Sequence, residues 1–104
     1  MSFTTTHRYG AMDRDPPMEQ LPTLLAELDE RPEDTEHGSV ALTHESEWSM
    51  SVARGGYVIL EHLENGGERH MHAVAANDII RMWHLLAGGR IEDLLAMAWS
   101  PGYE

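Results

Sequence analysis

The sequence predicts an α+β fold of two layers, an antiparallel meander of three or four strands with an N-terminal helix and two C-terminal helices packed on one face. Three observations lead there. Trp48, Met50 and Val52 alternate with Ser49, Ser51 and Ala53, the period of a strand with one buried face. Gly55-Gly56 and Asn65-Gly66-Gly67 separate this run from two further β-rich runs, and connections so short permit antiparallel pairing but no parallel crossover. Apolar residues at helical spacing stand on both sides of the β region, and such stripes bury by packing on a sheet. At 104 residues the chain is one domain's worth.

Taken in order, residues 1–14 lack a hydrophobic period and carry Ser, Thr, Gly and the single aromatics Phe3 and Tyr9. They read as a polar tail with room for one short edge strand, ahead of a single domain over residues 15–104. Asp15-Pro16-Pro17 is a helix start, since aspartate accepts from free amides and proline suits the first helical position. Met18, Leu21, Leu24, Leu25 and Leu28 then form one apolar stripe, and Pro22 moves the effective start toward Glu19. Residues 29–38 are acidic, contain Pro32 and end on Gly38, and so read as an exposed loop.

Val40 and Leu42 alternate with Ala41 and Thr43 in the first predicted strand, and Trp48 opens the second. Residues 57–63 are apolar on both faces, which predicts a central strand or one covered on both sides. Residues 69–74 return antiparallel after the Asn-Gly turn. Ile79, Met82, Trp83 and Leu86 form a second helical stripe, with Asn77 and Asp78 near the positive end of the helix and Gly88-Gly89 at its stop. Ile91, Leu94 and Leu95 place a short last helix at residues 91–97, before Trp99 and Pro101.

Eighteen acids against seven basic residues give a formal charge of −11, and every basic side chain other than histidine is arginine. Nucleic-acid binding by counterion release and adhesion to an anionic membrane both need the opposite sign. The absence of cysteine removes disulfides, thiolate metal sites and cysteine nucleophiles, and it suits a reducing, cytoplasmic compartment. No apolar run has the length of a membrane span or a signal-peptide core. Without lysine there is no P-loop, and the serines near His44 lie in a strand alternation rather than a Gly-x-Ser-x-Gly elbow. No catalytic residue is assigned, and an enzyme is not expected.

Two constellations remain. His70 and His72 stand two apart on a predicted strand and share a face, so they could hold zinc or another divalent cation, with His62 and one of Glu61, His44 or Glu68 completing the ligand set. No other cofactor is suggested. The second constellation is acidic. Asp29, Glu30, Glu33, Asp34 and Glu36 concentrate charge in one loop, and Glu45, Glu47, Glu61, Glu64 and Glu68 form a second acidic edge around the hairpin ends. Such surfaces dock on basic clefts by complementary potential, and Trp99 and Tyr103 near the C-terminus could serve as aromatic anchors.

Residues 48–103, with "GGYVILEHLENGGERHMHAV", "IIRMWHLLAGGRIEDLL" and "WSPGY", resemble small uncharacterised actinobacterial proteins. In size, acidity and mixed helix and meander pattern, the chain also resembles immunity proteins of bacterial polymorphic-toxin systems. That resemblance implies a non-catalytic inhibitor covering the basic cleft of a cognate toxin, and it carries no functional residue with it. The leading expectation is therefore an acidic protein-binding domain whose partner has a basic surface. The alternatives are a small metal- or ligand-binding domain using His70 and His72, and a homodimeric accessory protein.

Overall fold

The structure is a computed structural model and describes residues 2–30 and 38–102. Its centre is the expected meander, four strands of six residues each: β3 (Ser39–His44), β4 (Trp48–Ala53), β5 (Tyr57–His62) and β6 (Gly66–Met71). Three more strands extend it. β1 (Phe3–Thr6) pairs with the free edge of β3, β2 (Met12–Arg14) pairs with β1, and β7 (Ser100–Pro101) pairs with β6. The described residues thus form a seven-stranded antiparallel sheet in the order β2-β1-β3-β4-β5-β6-β7.

Four expectations need correcting. The predicted three or four strands are seven, and the predicted tail, residues 1–14, supplies the two strands at one edge. The run Phe3-Thr4-Thr5-Thr6 has β-branched residues but almost no apolar alternation, so its pairing rests on backbone bonds offered by β3, some forty residues away. The N-terminal helix also differs. Its regular part, α1 (Leu21–Ala26), is six residues long, and 3-10 turns at Met18–Gln20 and Glu27–Asp29 flank it. Pro22 cannot donate a backbone bond, and no side chain caps the helix at Gln20. α2 (Ala76–Ala87) matches its predicted stripe, whereas α3 (Ile91–Leu95) stops two residues short of the expected span.

One core joins the two layers. Val40, Leu42, Met50, Val52, Val58 and Leu60 are buried on one face of the sheet, in a cluster with Leu21 and Leu24 of α1, Ile79, Met82, Trp83 and Leu86 of α2, and Leu94 of α3. Trp83 is fully buried, and its indole N–H donates to the carbonyl of Met50 at 3.2 Å. The other face carries Ile59 and Tyr57, and neither belongs to that core. β5 is thus interior to the sheet as predicted, but no described helix covers its second face.

The β4–β5 turn fixes where α2 begins. Gly56 has φ +78°, and a Cβ there would lie 2.5 Å from the carbonyl oxygen of Val74 and 2.7 Å from its nitrogen. That approach lets the Val74 N–H donate to the Gly56 carbonyl at 3.0 Å, just before the helix. Gly56→Ala is therefore expected to lower stability by about 2 kcal/mol or more, through clash and left-handed strain together. Gly55→Ala, with φ +87° but open space around it, should lose only about 1 kcal/mol. Equal denaturant midpoints for the two variants would contradict this account.

A histidine clamp ties the β1–β2 hairpin to the helix layer. His7 directs Nδ1 at Glu27 Oε2 (2.5 Å) and Nε2 at Asp13 Oδ2 (2.6 Å). A neutral imidazole has one N–H and cannot donate to both carboxylates, so the geometry selects the imidazolium. The buried Arg8 adds a bond from Nη1 to the Glu27 carbonyl at 2.9 Å. The hydrogen bonds to Asp13 and then Glu27 raise the His7 pKa above 6.5, against a smaller opposing effect of burial. Because the folded value is the higher one, the stabilisation is complete below pH 6.5 and disappears as pH rises through the folded pKa. The difference in melting temperature between wild type and His7→Ala should accordingly be largest on the acid side and shrink at alkaline pH; a pH-independent difference would rule the clamp out.

Candidate functional site

Strand parity assembles the second acidic group. In the meander the β3–β4 and β5–β6 turns fall at the same end of the sheet, where the Leu63 N–H donates to the Glu47 carbonyl at 2.8 Å and so joins the two turns. The chain start arrives there too, since Phe3 pairs with His44 and the Ser2 N–H donates to Glu45 Oε1 at 2.7 Å. Asp15 follows β2 at this end, and its Oδ1 accepts from the Phe3 N–H at 2.9 Å. That backbone bond holds the Asp15 carboxyl below the usual carboxylate range. Asp15, Glu45, Glu47 and Glu64 are thereby exposed around one end of the sheet, with the half-buried Glu61 and Glu68 beside them. Leu63 sits among them with 55% of its surface exposed.

Backbone conformation marks the same place. Glu47 has φ +76° and Asp15 φ +48°, and only Ala73 joins them among described non-glycine residues with positive φ. Glycine adopts such angles freely, whereas glutamate does so under strain. Behind this end, on the helix-facing side, Trp48 meets His62 edge to face at 5.3 Å and the Arg69 guanidinium at 5.6 Å.

The first acidic group lies elsewhere. Asp29 and Glu30 are exposed at the opposite end of the sheet, where Asp29 lines a cavity of about 180 Å³ together with Arg54 and Gly55 of the β4–β5 turn. Six-residue strands separate the two ends by about 17–20 Å. The two groups are therefore not one face. Glu33, Asp34, Glu36 and Tyr103 lie outside the described residues. Trp99 is half-buried against the core and donates its indole N–H to the Leu94 carbonyl at 2.8 Å, so its ring closes the core beside α3.

The sheet also divides the histidines. His62 pairs with Trp48 on the helix-facing side, whereas His70 pairs with Ile59 on the other. His62 therefore cannot complete a site with His70 and His72, contrary to the expectation from spacing. Its Nδ1 lone pair accepts from the N–H groups of Glu64 (3.2 Å) and Asn65 (3.1 Å), which caps the β5–β6 turn. His44 does the same for the β3–β4 turn, accepting from the Ser46 N–H at 3.1 Å. Its Nε2, which then carries the proton, is buried with no partner among the described residues. His70 donates from Nδ1 to the Gly102 carbonyl at 2.8 Å, and its ring lies 5.0 Å from that of His72, which stacks on Tyr57. Beside the pair an open cavity of about 480 Å³ is lined also by Met97 and Asp78, but Asp78 faces Arg81 at 3.6 Å. Among the described residues no group of three potential ligands could hold a metal ion.

The caps at His44 and His62, the His7 clamp and the burial of Arg8 had no signature in spacing, because each joins residues whose proximity depends on strand pairing. Among the described residues no helix is long and apolar enough to cross a membrane. Compared with known proteins, the chain matches no protein-family model, no curated protein and no solved structure.

Two imidazoles alone give a zinc ion half of the four ligands it takes in structural sites. Titration with Zn²⁺ should therefore show at most weak binding, and His62→Ala should leave it unaltered. A tight equimolar site abolished by that substitution would overturn the division of histidines between the two faces.

Proposed function

We propose that the chain is a non-enzymatic protein-binding domain that docks its acidic end on a basic surface of a partner protein. One observation carries the reading: two meander turns and the residue after β2 bring Asp15, Glu45, Glu47 and Glu64 around the exposed Leu63. An apolar contact inside a charged rim is the composition of a docking patch, in which the apolar part supplies contact energy and the rim supplies encounter rate and partner choice. The left-handed Glu47 supports it further, since a carboxylate stands where glycine would be conformationally easier. The partner that this chemistry suits is a protein with a basic substrate cleft. With the resemblance in size and acidity to immunity proteins, a toxin is the first candidate, and covering its cleft would be the inhibitory act.

The experiment compares three baits in native cell extract: wild type, E45Q/E47Q/E64Q, and E19Q/E30Q/E92Q. The two triple variants lose equal charge from different places. A basic partner should be retained by wild type and by the second variant and lost about tenfold or more with the first. Its association should slow as salt rises from about 50 to about 500 mM. Equal retention by both variants, or indifference to salt, would contradict the proposal.

A further inference from the structure

β7 pairs with β6 only at Arg69–Pro101 and His70–Ser100. Ahead of Ser100 the chain curls away toward α3, where the Trp99 N–H donates to the Met97 carbonyl at 3.0 Å and the indole is committed to Leu94. The edge of β6 beyond His70 is thereby left open, and the cavity of about 480 Å³ occupies the gap. Five of the side chains around it carry nitrogen or sulfur donors: His70, His72, Met71, Met82 and Met97.

His70 is buried, with 4% of its surface exposed, and its Nδ1 lies 2.8 Å from the Gly102 carbonyl, a group that can only accept. The ring proton is therefore on Nδ1. The lone pair is on Nε2, which has no hydrogen-bond partner among the described residues and is not one of their sealed-off polar atoms. A backbone carbonyl on one ring nitrogen is the usual support of a histidine that binds metal through the other. His72 is held by stacking on Tyr57 at 4.9 Å and makes no hydrogen bond among the described residues. The centres of the two imidazole rings are 5.0 Å apart, with their planes at 77°. Two imidazoles that share one metal at about 2.0–2.1 Å have their centres roughly 5–5.5 Å apart.

Imidazole and carboxylate donors alone make no group of three among the described residues, and the Asp78 carboxylate beside the cavity faces Arg81 at 3.6 Å. The third donor is a thioether. Met82 is buried in the core and Met71 packs against it, whereas Met97 lines the cavity from outside that cluster with 37% of its surface exposed. Thioether sulfur is not among the ligands of protein zinc sites, but it is a preferred ligand of Cu(I), a soft cation that accepts low coordination numbers. We propose that this cavity binds Cu(I) through Nε2 of His70, a ring nitrogen of His72 and the sulfur of Met97. Two imidazoles that leave zinc half-ligated thus suffice once the thioether joins them. The charge of −11 draws cations to the chain without choosing among them, and the sulfur makes the choice.

Anaerobic titration of the full chain with Cu(I), in competition with a chromophoric Cu(I) chelator, tests the proposal. Wild type should take one equivalent of copper from the chelator. M97L keeps the volume of the side chain and removes its sulfur, so it should weaken binding about tenfold or more with an unchanged circular dichroism spectrum. H72A should weaken it at least as much. M12L, at the opposite edge of the sheet, and E45Q/E47Q/E64Q should bind copper as wild type does, which separates this site from the acidic end. X-ray absorption of the copper-loaded chain should show one sulfur at about 2.3 Å, missing from M97L. Failure to compete with the chelator, equal affinities of M97L and M12L, or a wild-type spectrum without sulfur would each overturn the proposal.

Discussion

The burial of Trp83 is the constraint on which the rest of the structure depends. Removing an indole from water contributes about 4–6 kcal/mol, but only if its N–H finds an acceptor, and here that acceptor is the Met50 carbonyl. The bond fixes α2 over β4, near the middle of the sheet order, and the contacts of α1 and α3 are arranged around α2. A chain of this size has helical stripes for one layer only. Once that layer is anchored on one side of β4, the opposite face of the sheet has no described helix over it.

Which acids share an end follows from strand count and length rather than from any acidic motif. Four antiparallel strands of six residues put alternate turns at alternate ends, so Glu45, Glu47 and Glu64 must be neighbours while Asp29 and Glu30 fall at the other end. Histidines hold the two turns: His44 and His62 each direct a ring nitrogen lone pair at backbone N–H groups that the strands leave unpaired. An N–H that would otherwise need water is satisfied internally, which lets the turns stay tight while their carboxylates face outward. The same residue type serves at the sheet's edge in the opposite chemical sense, since His7 donates to two carboxylates.

Much of the fold was legible because periodicity reports burial. The alternation from Trp48 to Ala53 and the stripe Ile79, Met82, Trp83, Leu86 read directly as the buried faces of β4 and α2. β1 and β2 were not legible, because Thr4, Thr5 and Thr6 gain their place by pairing with β3 and Met12 by pairing with β1, and the two segments carry no hydrophobic period of their own. The hairpin acids were readable as an edge because the turns themselves were. The loop acids and the hairpin acids looked alike in sequence, and only register shows that they are about a strand length apart. The His62, His70, His72 grouping fails for the same reason, since spacing gives the face of a residue within one strand and not relative to the next.

Hydrogen–deuterium exchange of the chain, alone and bound to the partner retained through its acidic end, tests the central claim most directly. The account predicts new protection at residues 44–48 and 61–66, where the two turns meet, with the amides of α1 and α3 unchanged. Protection confined to the helix layer, with those turns exchanging as in the free protein, would contradict it.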